Sequence, residues 1–469
     1  MYGVKVVTGA AAAVLLLTCA GPAPALADTI EAALVRSYQG NPQLNAQRAQ
    51  VRVTDENVPQ ALSGYRPKVN LTGSAGVQYT DSTSVVGPDG KGGVLRNVVR
   101  GTQPPRSVGL TVNQTVYDGQ ITANKTRAAE GQVSGAREGL RVLEETVLLN
   151  AATIYMDYLR DAATVEVQRS NVHVLEETLK QTRDRFNVGE VTRTDVAQAE
   201  AQLAAGKTQE LTAESNLVTT KANFRRIVGN DPENLQPGSP VDRFLPKTLQ
   251  AAVDLSLIEN PNVTAAMFGI DVGLLTVKIN EGALLPTVNV QAAVTQGYEQ
   301  SFTFQKQFNA SLTAQLAVPI YQGGTEYALI RQSKENLAQL RLTLDQTRDQ
   351  IRANTVQFWG QLEANKAQVV SAQAQVTAAE VALNGVREEA KAGQRTTLDV
   401  LNAQQALVNA RIALVTAQHD RVVSSYTVLS SVGRLSPQVL GLNTQVYDPS
   451  VHYQQVRDSW FGVRTPDGK

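Results

Sequence analysis

Val69-Asn70-Leu71-Thr72-Gly73-Ser74-Ala75-Gly76-Val77-Gln78-Tyr79-Thr80 alternates at every step. One face reads Val69, Leu71, Gly73, Ala75, Val77, Tyr79, and the other Asn70, Thr72, Ser74, Gly76, Gln78, Thr80. A period of two puts each set on its own side of a β-strand. The pattern returns three times. Val108, Leu110 and Val112 face away from Ser107, Gly109, Thr111 and Asn113. Val288, Val290, Ala292 and Val294 oppose Thr287, Asn289, Gln291 and Thr295. Phe308, Ala310, Leu312, Ala314, Leu316 and Val318 oppose Asn309, Ser311, Thr313 and Gln315.

A half-buried sheet on a soluble core also alternates, but its solvent face normally carries Lys or Glu. These faces carry no charge. The stretches are about ten residues long, what a tilted strand needs to cross hydrocarbon. Tyr65, Tyr79, Tyr117, Tyr298, Phe308 and Tyr321 lie near their ends, as an interfacial girdle does. The pattern predicts a transmembrane β-barrel whose polar face meets water. Four strands cannot close one, and an open edge in lipid leaves backbone groups unpaired. Two copies would supply eight strands with a filled interior; three would supply twelve and an aqueous lumen. A pore favours the homotrimer.

Working outward, the strands belong to an internal duplication. Thr29-Ile30-Glu31-Ala32-Ala33-Leu34 reads against Thr248-Leu249-Gln250-Ala251-Ala252-Val253, an offset of 219 that also takes Asn41-Pro42 to Asn260-Pro261. Beyond the first strands the offset becomes 204: Tyr117-Asp118-Gly119 meets Tyr321-Gln322-Gly323, Gly189 meets Gly393, and Asp195-Val196 meets Asp399-Val400. The first repeat therefore has an insertion between Pro67 and Tyr117. Gly87-Pro88-Asp89-Gly90-Lys91-Gly92-Gly93 there reads as a loop.

After each strand pair comes a proline-free stretch of sixty-odd residues, about 100 Å as helix. Its apolar seam steps by sevens: Val133, Leu140, Val147, Ile154, then Val165, Val172, Leu179, Phe186. The second repeat matches with Leu337, Leu344, Ile351, Phe358, then Val369, Val376, Leu383, Ala390, and both jump by eleven at the same place. Heptads predict left-handed coiled-coil packing, which an eleven-residue step straightens locally. Gly189 and Gly393 then turn the chain into returning helices.

The predicted fold class is an α+β membrane protein of tandem strand-strand-long-helix repeats. The first repeat spans 28–230, with strands at about 66–80 and 106–117 and helices at about 119–188 and 192–229. A proline-rich link, 231–247, leads to the second at 248–435, with strands at about 286–298 and 308–321 and helices at about 324–391 and 396–433. A tail occupies 436–469. Residues 1–27 read as a secretory leader: Lys5, an apolar run from Val6 to Leu17, and Ala25-Leu26-Ala27 before Asp28. A lipoprotein leader would instead modify Cys19, but Thr18 sits where such signals prefer a smaller residue. No later run approaches 18 consecutive apolar residues.

Composition closes off other classes. The 43 basic and 43 acidic residues cancel, so no net field invites nucleic acid. Cys19 is the single cysteine, excluding a disulfide framework. His173, His419 and His452 lack ligand spacing, and no Gly-rich phosphate loop ending in Lys-Ser/Thr occurs. No metal, cofactor or enzymatic activity is expected.

In order along the chain, Val116-Tyr117-Asp118-Gly119, Phe186-Asn187-Val188-Gly189, Thr194-Asp195-Val196, Pro319-Ile320-Tyr321-Gln322-Gly323-Gly324, Ala392-Gly393-Gln394-Arg395 and Leu398-Asp399-Val400-Leu401 resemble the TolC family of outer-membrane efflux and type I secretion channels. The resemblance covers essentially the whole chain after the leader. It implies a trimeric twelve-stranded outer-membrane barrel continued into the periplasm by a helical tunnel. It also implies two partners, a periplasmic adaptor and an inner-membrane pump, of the ABC or another class. The tail from Tyr447 through Trp460-Phe461-Gly462 is similar to tails of the type I secretion branch, which implies secreted protein ahead of small toxic compounds as cargo.

The same resemblance places a periplasmic gate at the helix-turn tips, with Arg395 linking to Thr194 and Asp195, and adaptor contacts at Val188, Gly189, Gly393 and Gln394. Three copies of Asp399 around a narrowing axis would form an anionic ring, with mutual repulsion raising their pKa. Asn402 stands where the family can carry a second acidic ring, and Ala390 where it carries a tyrosine link. Thr192-x-x-Asp195 and Thr396-x-x-Asp399 also read as helix-capping boxes. A trimeric coiled-coil adhesin and a periplasmic adaptor are the alternatives; the duplicated strand pairs fit neither.

Overall fold

A computed structural model describes residues 28–88, 90–466 and 468; the leader lies outside these. Each repeat opens with short helices: α1 (Ile30–Gly40), α2 (Pro42–Asp55) and α3 (Asn57–Leu62) in the first, α6 (Leu249–Glu259) and α7 (Pro261–Gly282) in the second. Asn41 and Asn260 cap the helices that start at the following proline, accepting from Gln43 N at 2.9 Å and Asn262 N at 3.0 Å. That explains the repeated Asn-Pro: proline lacks the N–H an N1 residue would leave idle. Together α6 and α7 are long and apolar enough to cross a membrane, which a search for uninterrupted apolar runs missed; they pack instead as staves against α4 and α8.

The strands are β1 (Lys68–Ala75), β2 (Gln78–Pro88), β3 (Val94–Gln103), β4 (Arg106–Tyr117), β5 (Thr287–Ser301) and β6 (Phe304–Ala317). Four make one antiparallel sheet in the order β1-β4-β5-β6. Its register brings the apolar residues of the four strands together in the middle of the sheet. Val69, Val112, Ala292 and Leu312 form one cross-strand row, and Leu71, Leu110, Val294 and Ala310 another on the same side. Asn70, Thr111, Ala293 and Ser311 lie on the opposite side. The apolar side is bare: Leu71 is 74% and Leu312 76% exposed, so no core of this chain covers it, as a lipid-facing side requires.

Two strand expectations need correction. The stretch at 66–80 is not one strand: β1 ends at Ala75, and Gln78 starts β2, which pairs with β3 in a separate two-stranded sheet. The inserted segment is therefore a β-hairpin with only its tip in the Gly-rich stretch. Valines and threonines in both arms favour extended backbone, but their neighbours do not alternate, so periodicity stayed silent. The last strand is shifted, beginning at Phe304 and stopping at Ala317, before Pro319, which has no N–H for the ladder.

The long helices are α4 (Ile121–Asn187) with α5 (Arg193–Val228), and α8 (Thr325–Lys391) with α9 (Thr397–Ser431). Each pair is an antiparallel hairpin, and α4 also packs on α9. In the first seam, Val133 to Leu179 are buried, with α1, α2, α5, α7 and α9 around them. In the second, Leu337, Phe358 and Val369 stay half-exposed, since fewer elements of the same chain cover α8. The main core lies where α1, α4, α5 and α9 meet, around Tyr38, Leu148, Tyr155, Phe224 and Tyr426. Short helices α10 (Pro437–Leu440) and α11 (Ser450–Val456) carry the tail back along the first repeat.

Halfway along, α4 and α9 meet at a charged cluster. His419 Nε2 lies 3.0 Å from Asp157 Oδ1, and its Nδ1 lies 2.8 Å from Asp420 Oδ1. Arg160 bridges Asp157 and Asp161 at 2.8 and 2.9 Å. Burial alone would depress the imidazole pKa, but the two carboxylates outweigh it and hold His419 above the ordinary histidine range. A raised folded-state pKa stabilises fully below the unfolded value of about 6.5 and is lost as pH rises through the folded value. Thermal unfolding of the wild type should therefore fall more steeply than that of His419→Gln as pH climbs above about 6.5. Parallel slopes would remove His419 from the pH response.

Candidate gate at the helical tips

The two hairpins end in the same backbone figure. Gly189 adopts φ +83° and Gly393 φ +76°, the left-handed conformation that ends a helix. Glu190 N donates to Arg185 O and Gln394 N to Glu389 O, both at 2.9 Å, closing the last turns. Val188, directly before the first glycine, is 73% exposed.

Both returning helices start in full capping boxes. Asp195 N donates to Thr192 Oγ1 at 3.3 Å, and Thr192 N returns a bond to Asp195 Oδ2 at 2.8 Å. The equivalents at Thr396 and Asp399 measure 3.2 and 2.9 Å. Hydrogen bonds from Thr192 hold the Asp195 carboxyl below the usual range; for Asp399 the Thr396 backbone amide is the main cause. Within one chain the shift of Asp399 is thus opposite to the rise expected of a crowded ring, because the cap bonds favour the carboxylate. Asp399 keeps its charge while capping the helix.

Arg395 is engaged within its own hairpin: its Nε donates to Glu389 Oε2 at 2.8 Å. The first tip has the same clip with the signs exchanged, Arg185 Nε donating to Glu190 Oε2 at 3.0 Å. Arg185 and Glu389 are equivalent by the offset of 204, so the repeats place opposite charges at matched helix ends. Thr194 is exposed and makes no cap; Thr192 does that.

What joins the two hairpins near their tips lies slightly further from the turns. Gln404 Nε2 donates to Asn171 Oδ1 at 3.3 Å, and Gln202 Nε2 donates to Gln405 Oε1 at 3.1 Å. Arg387 Nη2 donates to Gln404 Oε1 at 3.0 Å. Leu401 packs with Leu175, Leu179 and Ala199 beside them. Sequence reasoning missed these amides; the available signal was Gln404, a polar residue inside the apolar stripe running from Leu401 to Leu407 and Val408.

A sheet with a bare apolar face and a mainly polar reverse, set on helices about 100 Å long that end in charged tips, defines one staff of a membrane-spanning export duct. The chain belongs to the outer membrane efflux protein family, whose model matches residues 33–230 and 252–434. It is 40% identical over 467 residues to the outer membrane efflux protein BepC of Brucella suis biovar 1 (strain 1330), covering 98% of this chain and 97% of that one. It is 25% identical over 445 residues to the outer membrane protein TolC of Escherichia coli (strain K12), covering 89% and 85%. Among solved structures it is similar in fold to the outer membrane protein VceC of Vibrio cholerae, with a TM-score of 0.72 at 18% identity over 86% of this chain and 96% of that one. The resemblance to the TolC family thus holds. The protein is a passive outer-membrane channel for export that reaches into the periplasm of a Gram-negative cell; the adhesin and adaptor readings give way to it.

Proposed function

We propose that three copies of the chain close the duct and that it completes a tripartite exporter with a periplasmic adaptor and an inner-membrane pump. The observation that carries trimerisation is the unfinished sheet: β1 and β6 are both edges, which lipid does not tolerate. The half-bare seam of α8 agrees with it. Polar residues such as Asn70, Thr111, Asn309 and Ser311 would line the lumen without charge, leaving cargo choice to the pump. BepC is named an efflux protein, and small toxic compounds are the proposed cargo; secreted protein is the second class to test.

In this reading the tips form the gate. Asp399, ionised and capped, would ring the narrowing in three copies, with Asp195, Thr194 and Arg395 on the neighbouring tips. Exposed Val188, Gly189, Gly393 and Gln394 would meet the adaptor. Single-channel conductance in planar bilayers tests the ring through Asp399→Asn, which removes charge but keeps an oxygen able to cap. Cation over anion permeability should fall about fivefold, as expected when a ring of like charges is neutralised. Unchanged selectivity would reduce Asp399 to a helix cap. Arg395→Ala, which frees Glu389, should raise open probability if the clip helps hold the tip closed.

A further inference from the structure

The tail carries apolar surface that the duct itself does not explain. From α11, His452 Nδ1 reaches Asp55 Oδ2 at 3.0 Å, Tyr453 packs against Val58, Ala129 and Val133, and Arg457 Nη2 lies 3.4 Å from Glu130. Arg66, two residues before β1, then donates from Nη1 to the Ser459 carbonyl at 2.5 Å and stacks its guanidinium 4.9 Å from the centre of the Trp460 ring. The chain is thus held in place up to Trp460. Beyond this grip, Trp460 is 65%, Phe461 93% and Val463 101% exposed.

The grip fixes the height of these residues along the duct. Arg66 sits where the helices hand over to the sheet: Gln114 Nε2 donates to Tyr65 O at 2.6 Å, Lys68 pairs with Asn113, and Tyr117 pairs with Val288. Tyr65, Tyr117 and Tyr321, all exposed, mark the same end as the periplasmic rim of the lipid-facing sheet. The apolar tail is therefore level with the aromatic girdle, and Arg66 and Arg464 flank it.

We propose that Trp460-Phe461-Gly462-Val463 is an interfacial anchor that enters the periplasm-facing leaflet of the outer membrane, with Arg66 and Arg464 meeting glycerophospholipid phosphates. The indole suits the headgroup level, phenylalanine and valine suit the acyl boundary, and guanidinium matches phosphate geometry. Lipid is favoured over a second copy of the chain because the exposed apolar residues lie level with the aromatic rim and because cations border them.

The test uses the full mature chain with Trp359→Phe, leaving Trp460 as the sole tryptophan of the two. Trp359 lies about 50 Å along α8 from the rim. In phosphatidylethanolamine–phosphatidylglycerol vesicles whose acyl chains are brominated near the headgroup, Trp460 emission should fall by about half. Phe461→Asp with Val463→Asp should abolish that quenching while conductance of the same preparation is unchanged. Trp460→Phe, which keeps Trp359, should show none. Blue-shifted emission indifferent to bromine would mean that protein covers the tail, and red-shifted emission that it lies in water; either overturns the anchor. Conductance reports the duct separately, so loss of the channel and loss of the anchor are told apart.

Discussion

Gly119→Val should prevent assembly of the folded duct, with a destabilisation above about 3 kcal/mol. Gly119 has φ +66°, and a Cβ there would lie 2.4 Å from the Gly282 carbonyl oxygen and 2.8 Å from Leu285 Cβ. The contact is mutual, since a Cβ on Gly282 would lie 2.8 Å from the Gly119 oxygen. Two backbones touch here, and neither can withdraw. The position joins the repeats: β4 becomes α4 on one side, α7 becomes β5 on the other, and β4 pairs with β5 immediately above. Valine adds left-handed strain of about 1–2 kcal/mol to the overlap. Gly323, its repeat partner, has φ +74° but nothing within 4 Å of a Cβ. Gly323→Val should therefore cost only the strain within one chain. Urea midpoints and the yield of assembled protein compare the two. Equal damage would show that a neighbouring copy covers the Gly323 turn, and wild-type behaviour of Gly119→Val would refute the close approach.

Glu145→Gln should stabilise the protein by roughly 3 kcal/mol near neutral pH. Glu145 is 7% exposed on α4, and burial raises its pKa to about 8, with Glu138 and Glu144 adding to the rise against the opposing Arg141. Below the ordinary value of 4.5 the folded and unfolded chains both hold the proton, and no difference arises. Between 4.5 and about 8 only the folded chain holds it, so wild-type stability falls as pH rises. Above that range the folded carboxyl ionises too and the cost levels off. Glutamine removes the proton from the balance, so the advantage of the variant should grow through that window and then stay flat. Thermal unfolding at a series of pH values measures it. A pH-independent gap between the two proteins would mean that Glu145 ionises normally, reached by water or by a charged group of another copy.

Much of the architecture was readable because its signals are local. The alternation of Val69 to Ala75 needs only a pleated strand and a uniform environment on each side. The heptads of α4 and α8 need only a straight neighbour. Gly189, Gly393 and the two Thr-x-x-Asp boxes state their backbone geometry within a few residues. The β2–β3 hairpin was not readable, since both of its faces are largely exposed and no difference between them imposes a period. The candidate gate was half readable. Thr192 with Asp195 and Thr396 with Asp399 pair as spacing predicts, but Arg395 chose Glu389, six residues back, over the other tip.

The sequence alone determined the repeat, the strand faces, the long helical hairpins and the turns between them, all properties carried by periods of two and seven and by residues with strong backbone preferences. Only the tertiary structure decided which charges meet. It buried Glu145, set His419 between Asp157 and Asp420, joined the hairpins through Gln404 and Asn171, and brought Trp460 back to Arg66. The physical reason is one of range. Periodicity is enforced by the nearest turn of chain, whereas a charged or aromatic end finds its partner through distances that exist only after elements far apart in sequence have packed.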